Sequence, residues 1–88
     1  MSALTPEVRE LLQAVHDALT LPGPAITERD MDAFGNLIQS RAADVRIKLD
    51  SLLRHPNLFT LTEAAEQLRE WTAETPVTYT VRQDGGQQ

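Results

Sequence analysis

The chain has no cysteine, which excludes disulfide staples, thiolate metal sites and cysteine nucleophiles. Aromatic residues are nearly as scarce. Phe34, Phe59, Trp71 and Tyr79 are the only four, so a core has to be mainly aliphatic. The 4 glycines are scattered and cannot be assembled into a phosphate-cradling loop. Positive charge is also short: 8 Lys and Arg stand against 13 Asp and Glu, for a net charge of −5. That balance gives no steering toward nucleic acid or anionic lipid, both of which repel it at range. No stretch approaches the roughly 18 consecutive apolar residues of a membrane span. Residues 1–6 have neither the basic region nor the apolar run of a signal peptide, so the expected location is cytoplasmic.

What is present suits a small globular domain. Hydrophobic residues make up 41% and charged residues 24% of the 88 positions, which is ordinary globular usage. A chain of this length buries only about 60–65% of the surface its unfolded form exposes. Without staples, its stability has to come from efficient helix packing or from a partner chain.

Three helices are expected. The first runs over residues 5–19, with Thr5 as cap, Pro6 at the first helical position, and Val8, Leu11, Leu12, Val15 and Leu19 in one apolar stripe. Leu21-Pro22-Gly23-Pro24 breaks it. Thr27 caps the second, with Asp30 at the third helical position and Ile26 and Met31 placed as a hydrophobic staple. Its stripe reads Met31, Phe34, Ile38, Ala42, Val45, Leu49 and Leu52, and Pro56 disfavours helical geometry at His55. Gly35 interrupts this pattern, either because another helix packs closely there or because the helix breaks at Gly35-Asn36; the continuous helix is the expectation. The third helix covers residues 60–74, with Thr60 and Glu63 at capping-box spacing and an inner face of Leu61, Ala64, Ala65, Leu68 and Trp71 or Thr72. Its glutamates, Glu63, Glu66, Glu70 and Glu74, read as a solvated outer face. After Pro76 the period changes to two, with Val77, Tyr79 and Val81 alternating with Thr78, Thr80 and Arg82, and residues 83–88 read as a disordered end. The fold class is therefore all-α: a three-helix bundle over residues 1–75 with an extended, strand-like C-terminal arm over residues 76–88.

A lone strand cannot satisfy its own ladder, and no second strand is visible in the pattern. The arm can lie across the helices, stay disordered when free, or pair with a strand of another chain.

No catalytic, cofactor or metal residue can be named. His16 and His55 lie in different segments, and adjacent His16 and Asp17 do not face each other on a helix. Metal sites need three or four converging ligands, and the Glu-x-x-His elements of di-iron bundles are missing. Arg41, Arg46, Lys48 and Arg54 point in widely separated directions at 100° per residue, so no one face is basic. Asp50-Ser51-Leu52 matches the Asp-Ser-Leu tripeptide of acyl carrier proteins, a resemblance that implies a phosphopantetheine arm on Ser51 at the start of a helix; here Ser51 falls near a helix end. On the back of the second helix, Ala33, Asn36, Ser40, Ala43, Ile47 and Arg54 recur at helical spacing, which describes either a second contact face or a small-polar solvent face with one isoleucine.

Residues 41–50 (Arg41 to Asp50) and 74–79 (Glu74 to Tyr79) resemble short helical proteins of actinobacteria associated with phage-like or other mobile elements. The likeness covers about a third of the chain. It implies no catalytic residues, and it favours an accessory or regulatory protein over a metabolic enzyme.

The expected function is a non-enzymatic protein-interaction module whose partner is another protein or a second copy. Ala43 and Ile47 on the helix, with Val77, Tyr79 and Val81 on the arm, are the expected contacts. No cofactor, membrane, small-molecule substrate or direct nucleic-acid contact is expected. The alternatives are a carrier protein modified on Ser51 and a regulator acting within a nucleic-acid complex.

Overall fold

The structure, a computed structural model, describes residues 3–83; the expected disordered end lies outside these residues from position 84 onward. The described residues form three helices: α1 (Pro6–Leu19), α2 (Glu28–Arg54) and α3 (Leu61–Glu74). The signals that start each helix act as the sequence predicts. Thr5 Oγ1 accepts from the Val8 amide at 3.2 Å, and Thr27 Oγ1 accepts from the Asp30 amide at 3.1 Å. At α3 the capping box is complete: Thr60 Oγ1 accepts from the Glu63 amide, and Glu63 Oε1 accepts from the Thr60 amide. α2 runs unbroken through Gly35 and ends at the His55 cap, ahead of Pro56. A side chain added at Gly35 would meet nothing within 4 Å, so close helix packing is not the reason for that glycine.

α1 and α3 lie side by side and parallel. Thr62 of α3 shares a hollow with Pro6 and Glu7 at the first turns of both helices, Arg69 reaches Glu10 partway along, and Arg41 touches both helices near their last turns. Ala14 and Ala18 of α1 meet Ala65 and Leu68 of α3 in the core, with Val45 joining from α2 and Val15 and Trp71 packed around it. Alanine at three of these positions lets the two helices approach closely. Among the described residues Leu68 is the one large side chain with less than 2% exposure, and its burial contributes about 1.5–3 kcal/mol.

α2 runs antiparallel to both and is far longer. Its 27 residues span about 40 Å, against about 21 Å for the 14 residues of each neighbour. Its N-terminal half therefore projects past the ends of α1 and α3. The linker and the C-terminal arm cover that half.

The arm finds its partner within the chain. Val81 and Pro24 form an isolated antiparallel bridge, in which the Ala25 amide donates to Thr80 O and the Arg82 amide donates to Gly23 O, both at 2.8 Å. Proline's missing N–H costs nothing, because the bridge uses the groups on either side of Pro24. Tyr79 points inward. Its hydroxyl donates to Pro22 O at 2.6 Å, and its ring meets Phe34 edge-on at 5.7 Å. The arm is extended and lies against its own chain as one of the expected arrangements; no second strand forms among the described residues, and one bridge to the proline-rich linker holds it.

Two apolar stripes need correction. On α1 the buried positions are Leu11, Ala14 and Ala18, while Leu12 and Leu19 lie exposed. On α2 the buried face centres on Asp30, Arg41, Val45 and Lys48, turned by about 60° from the apolar stripe. Met31, Ala42 and Leu49 are left exposed, and Ile26 is exposed as well, so no staple forms there.

Candidate functional site

The rotation of these stripes leaves an apolar face on one side of the α1–α2 seam. Leu12 is 50% exposed, Leu19 40%, Leu49 37% and Leu53 82%, together the surface of about two fully exposed leucines. Two hollows lie along it. One, of about 380 Å³, is floored by Leu19, Ala42, Val45 and Leu49, with Arg46 and Asp50 at its rim. The other, of about 570 Å³, is lined by Leu11, Leu49, Leu52, Pro56, Phe59 and Leu61. Leu53 borders both and stands up between them. These leucines and the two hollows form a continuous apolar surface along the seam.

Its position follows from what α2 places on its inner side. The Arg41 guanidinium is buried where α1 and α3 end. Nη1 donates to Ala18 O at 2.9 Å, Nη2 to Thr75 O at 2.6 Å, and Nε to Thr75 Oγ1 at 3.0 Å. One cation thus meets the carbonyl ends of two helices, where their dipoles are negative. Lys48, the only lysine, lies between two rings, with Nζ 4.5 Å from the Trp71 centroid and 4.7 Å from that of Phe59, while it donates to Gln67 Oε1. Burial pushes its amine below the ordinary lysine value. Asp30 closes the other end. Its carboxylate accepts from the Thr27 hydroxyl at 2.7 Å and from the Thr80 amide at 3.1 Å, and these two bonds hold it below the ordinary aspartate value. With these polar anchors facing inward, the leucines of α2 fall to the side.

The five residues expected to contact a partner do not gather on this face. Ala43 is half-buried, and Ile47 is exposed in a separate hollow with Asp44, Trp71 and Glu74 at the α2–α3 edge. Tyr79 is buried, with its hydroxyl engaged by Pro22, and burial raises its pKa. Val77 and Val81 flank it at the rim of the arm. Leu12, Leu19 and Leu49 of this face fall within the two stripes read as core, and Leu53 falls within neither. The signal of the face was an excess: two adjacent leucines, Leu52-Leu53 and Leu11-Leu12, of which one helix side can bury only one.

Other candidate groups are dispersed. His16 and Asp17 do touch, at 3.4 Å, correcting the view that these neighbours do not meet, and both are exposed. Ser51 sits half-buried in the last turn of α2, and its carbonyl accepts from the His55 amide. Glu63, Glu66 and Glu70 edge a hollow on α3, beside Leu58, Phe59 and Gln67. No group of three or more His, Asp or Glu among the described residues could hold a metal ion. No helix among them is long and apolar enough to cross a membrane.

Fold and surface together define a small, all-α, three-helix domain with one leucine-rich face. No family model matches the chain, and neither a curated protein nor a solved structure does.

Proposed function

We infer that this chain is a non-enzymatic interaction module that docks another protein chain on the α1–α2 leucine face. The observation supporting this is Leu53, which stands 82% exposed between two apolar hollows. A leucine in that position gains nothing for the isolated fold. Covered by an apolar partner, it contributes about 1.5–3 kcal/mol. The thin core points the same way, since so short a chain gains stability by sharing apolar surface. The partner proposed for this face is a helix, because a seam between two helices presents a groove into which a third can lay its apolar side. The resemblance to accessory proteins of mobile elements agrees with a role in assembly or regulation.

The test is site-specific photo-crosslinking in the cell. A photoreactive amino acid at position 53 is expected to give a discrete protein adduct. The same group at Glu66, on the acidic side of α3, is expected to give none. Absence of an adduct at position 53, or equal adducts at both, would refute the assignment of this face.

A further inference from the structure

We propose that the occupant of the leucine face is a second copy of this chain, docked with its α2 antiparallel to the first. This rests on the docking role just assigned and deepens it by naming the partner.

The face carries both halves of a self-complementary contact. Leu53 is the knob, and the hollow floored by Leu19, Ala42, Val45 and Leu49 is the hole. The hollow centres near Arg46, seven residues or two helical turns from Leu53, a separation of about 10 Å along the axis. A two-fold axis passing the Leu49–Asp50 level brings each Leu53 over the other copy's hollow. Ala42, exposed and small, makes room there. A two-fold contact requires that one patch serve as both donor and receiver, and this one does.

Charge agrees with the same pairing. The chain carries −5 overall, yet the hollow's rim holds one Arg46 and one Asp50. In the antiparallel arrangement Arg46 of one copy lies opposite position 53 of the other, about 4.5 Å along the axis from that copy's Asp50. Each guanidinium can then reach the opposite carboxylate, giving two reciprocal ion pairs. Asp50 already accepts from Arg54 Nε at 3.0 Å within its own helix, so its carboxylate is held in place at the rim. The acidic residues that would repel a second copy, Glu63, Glu66 and Glu70, edge the separate hollow on α3. Across one copy the leucines expose about two residues' worth of surface, and a two-fold contact doubles it. The apolar area alone stays below the roughly 1,000–1,200 Å² at which specific interfaces begin, which sets the expectation of a weak, concentration-dependent dimer.

The experiment is sedimentation of the purified full chain over a rising concentration series, with circular dichroism confirming that each variant stays helical. Wild type is expected to reach twice its 9.8 kDa mass by high micromolar concentration. Leu53→Asp, a change at an exposed position, should weaken self-association by about 30-fold or more, as loss of a central contact does. Arg46→Asp should weaken it as well, and the double variant Arg46→Asp with Asp50→Arg should restore it, because the reciprocal pairs re-form with signs exchanged. A dimer indifferent to Leu53→Asp, or a double variant no better than Arg46→Asp, overturns this interface. A wild type that stays monomeric overturns the second copy as partner. In that case a position-53 adduct of different mass in the cell leaves the docking role standing, and its absence removes both.

Discussion

The seam between α1 and α3 and the seam between α2 and its neighbours are held by different physics. The first is made of methyl groups: Ala14 and Ala18 against Ala65 and Leu68, all buried. Its stability comes from shape and from removing apolar surface from water, and it tolerates little change in volume. The second has Asp30, Arg41 and Lys48 on its inner side, each buried and each with a named partner. No buried side-chain polar atom among the described residues lacks a partner. The lesson is that a fold that buries few of its large apolar side chains can use long cations as packing. Their stems fill space while their heads satisfy helix ends and rings. The leucines displaced from that inner side are left on the surface.

The largest test of this contrast is Leu68→Ala. It removes the one wholly buried large side chain from a seam otherwise lined by alanine, leaving a cavity between two helix backbones. A loss of about 3 kcal/mol is expected from the urea midpoint. A loss below about 1 kcal/mol would mean that the alanine seam is not the centre of stability.

Arg41→Met probes the other seam at matched stem volume. The variant keeps the aliphatic packing and removes the donors to Ala18 O, Thr75 O and Thr75 Oγ1. The expected cost is about 2–3 kcal/mol, because the carbonyl ends of two helices lose their charged partner. A neutral result would make Arg41 a packing element only, and would erase the difference between the seams.

Asp30 tests whether polar anchoring extends to the arm. Its folded pKa lies below the ordinary value of 3.8, owing first to the Thr27 hydroxyl and then to the Thr80 amide. A carboxylate depressed in the folded state stabilises above its unfolded pKa, and that contribution is lost as pH falls through the folded value. The arm is therefore expected to loosen in acid, below about pH 4. The Thr80 amide proton, followed by NMR, should titrate with a midpoint below that of a free aspartate. In Asp30→Asn that titration should vanish and Thr80 hydrogen exchange should accelerate. A midpoint at or above the ordinary value would show that the carboxylate does not hold the arm.

How much of this could be read in advance depends on where each signal resides. Helix ends are written in side chains that act locally: Thr5, Thr27, the Thr60–Glu63 pair, and Pro56 each act within four residues. The inner face of α3 was equally plain, since Leu61, Ala64, Ala65, Leu68 and Trp71 recur at helical spacing among charged and polar residues. The orientation of α2 was not, because periodicity sorts apolar from polar and takes Arg41 and Lys48 as solvent-facing. Only the tertiary position of Ala18, Thr75, Phe59 and Trp71 brings them inside. The arm's partner was invisible for another reason. The bridge to Gly23 and Ala25 is made by backbone groups that every residue carries, within a segment whose prolines announce a turn. Leu12, Leu19 and Leu49 followed from the first miss, since a stripe counted as core cannot also be counted as surface, while Leu53 stood in no stripe.

The smallest effect concerns the projecting half of α2, which no neighbouring helix supports. Gly35 lies there in helical conformation, with no positive φ and no atom within 4 Å of where a side chain would begin. Close packing does not explain it, and its backbone freedom in the unfolded state weakens the helix where it is least covered. Gly35→Ala is expected to raise stability by about 0.5–1 kcal/mol, through helix propensity and the reduced entropy of the unfolded chain. Urea melts of the variant with and without Asp30→Asn would then show whether the two sites act separately. Additive effects mean that the helix and the arm clasp stabilise this half independently. A gain that disappears when the clasp is cut means that the projecting half of α2 is ordered by the arm, so that its helicity is a tertiary property and not a local one.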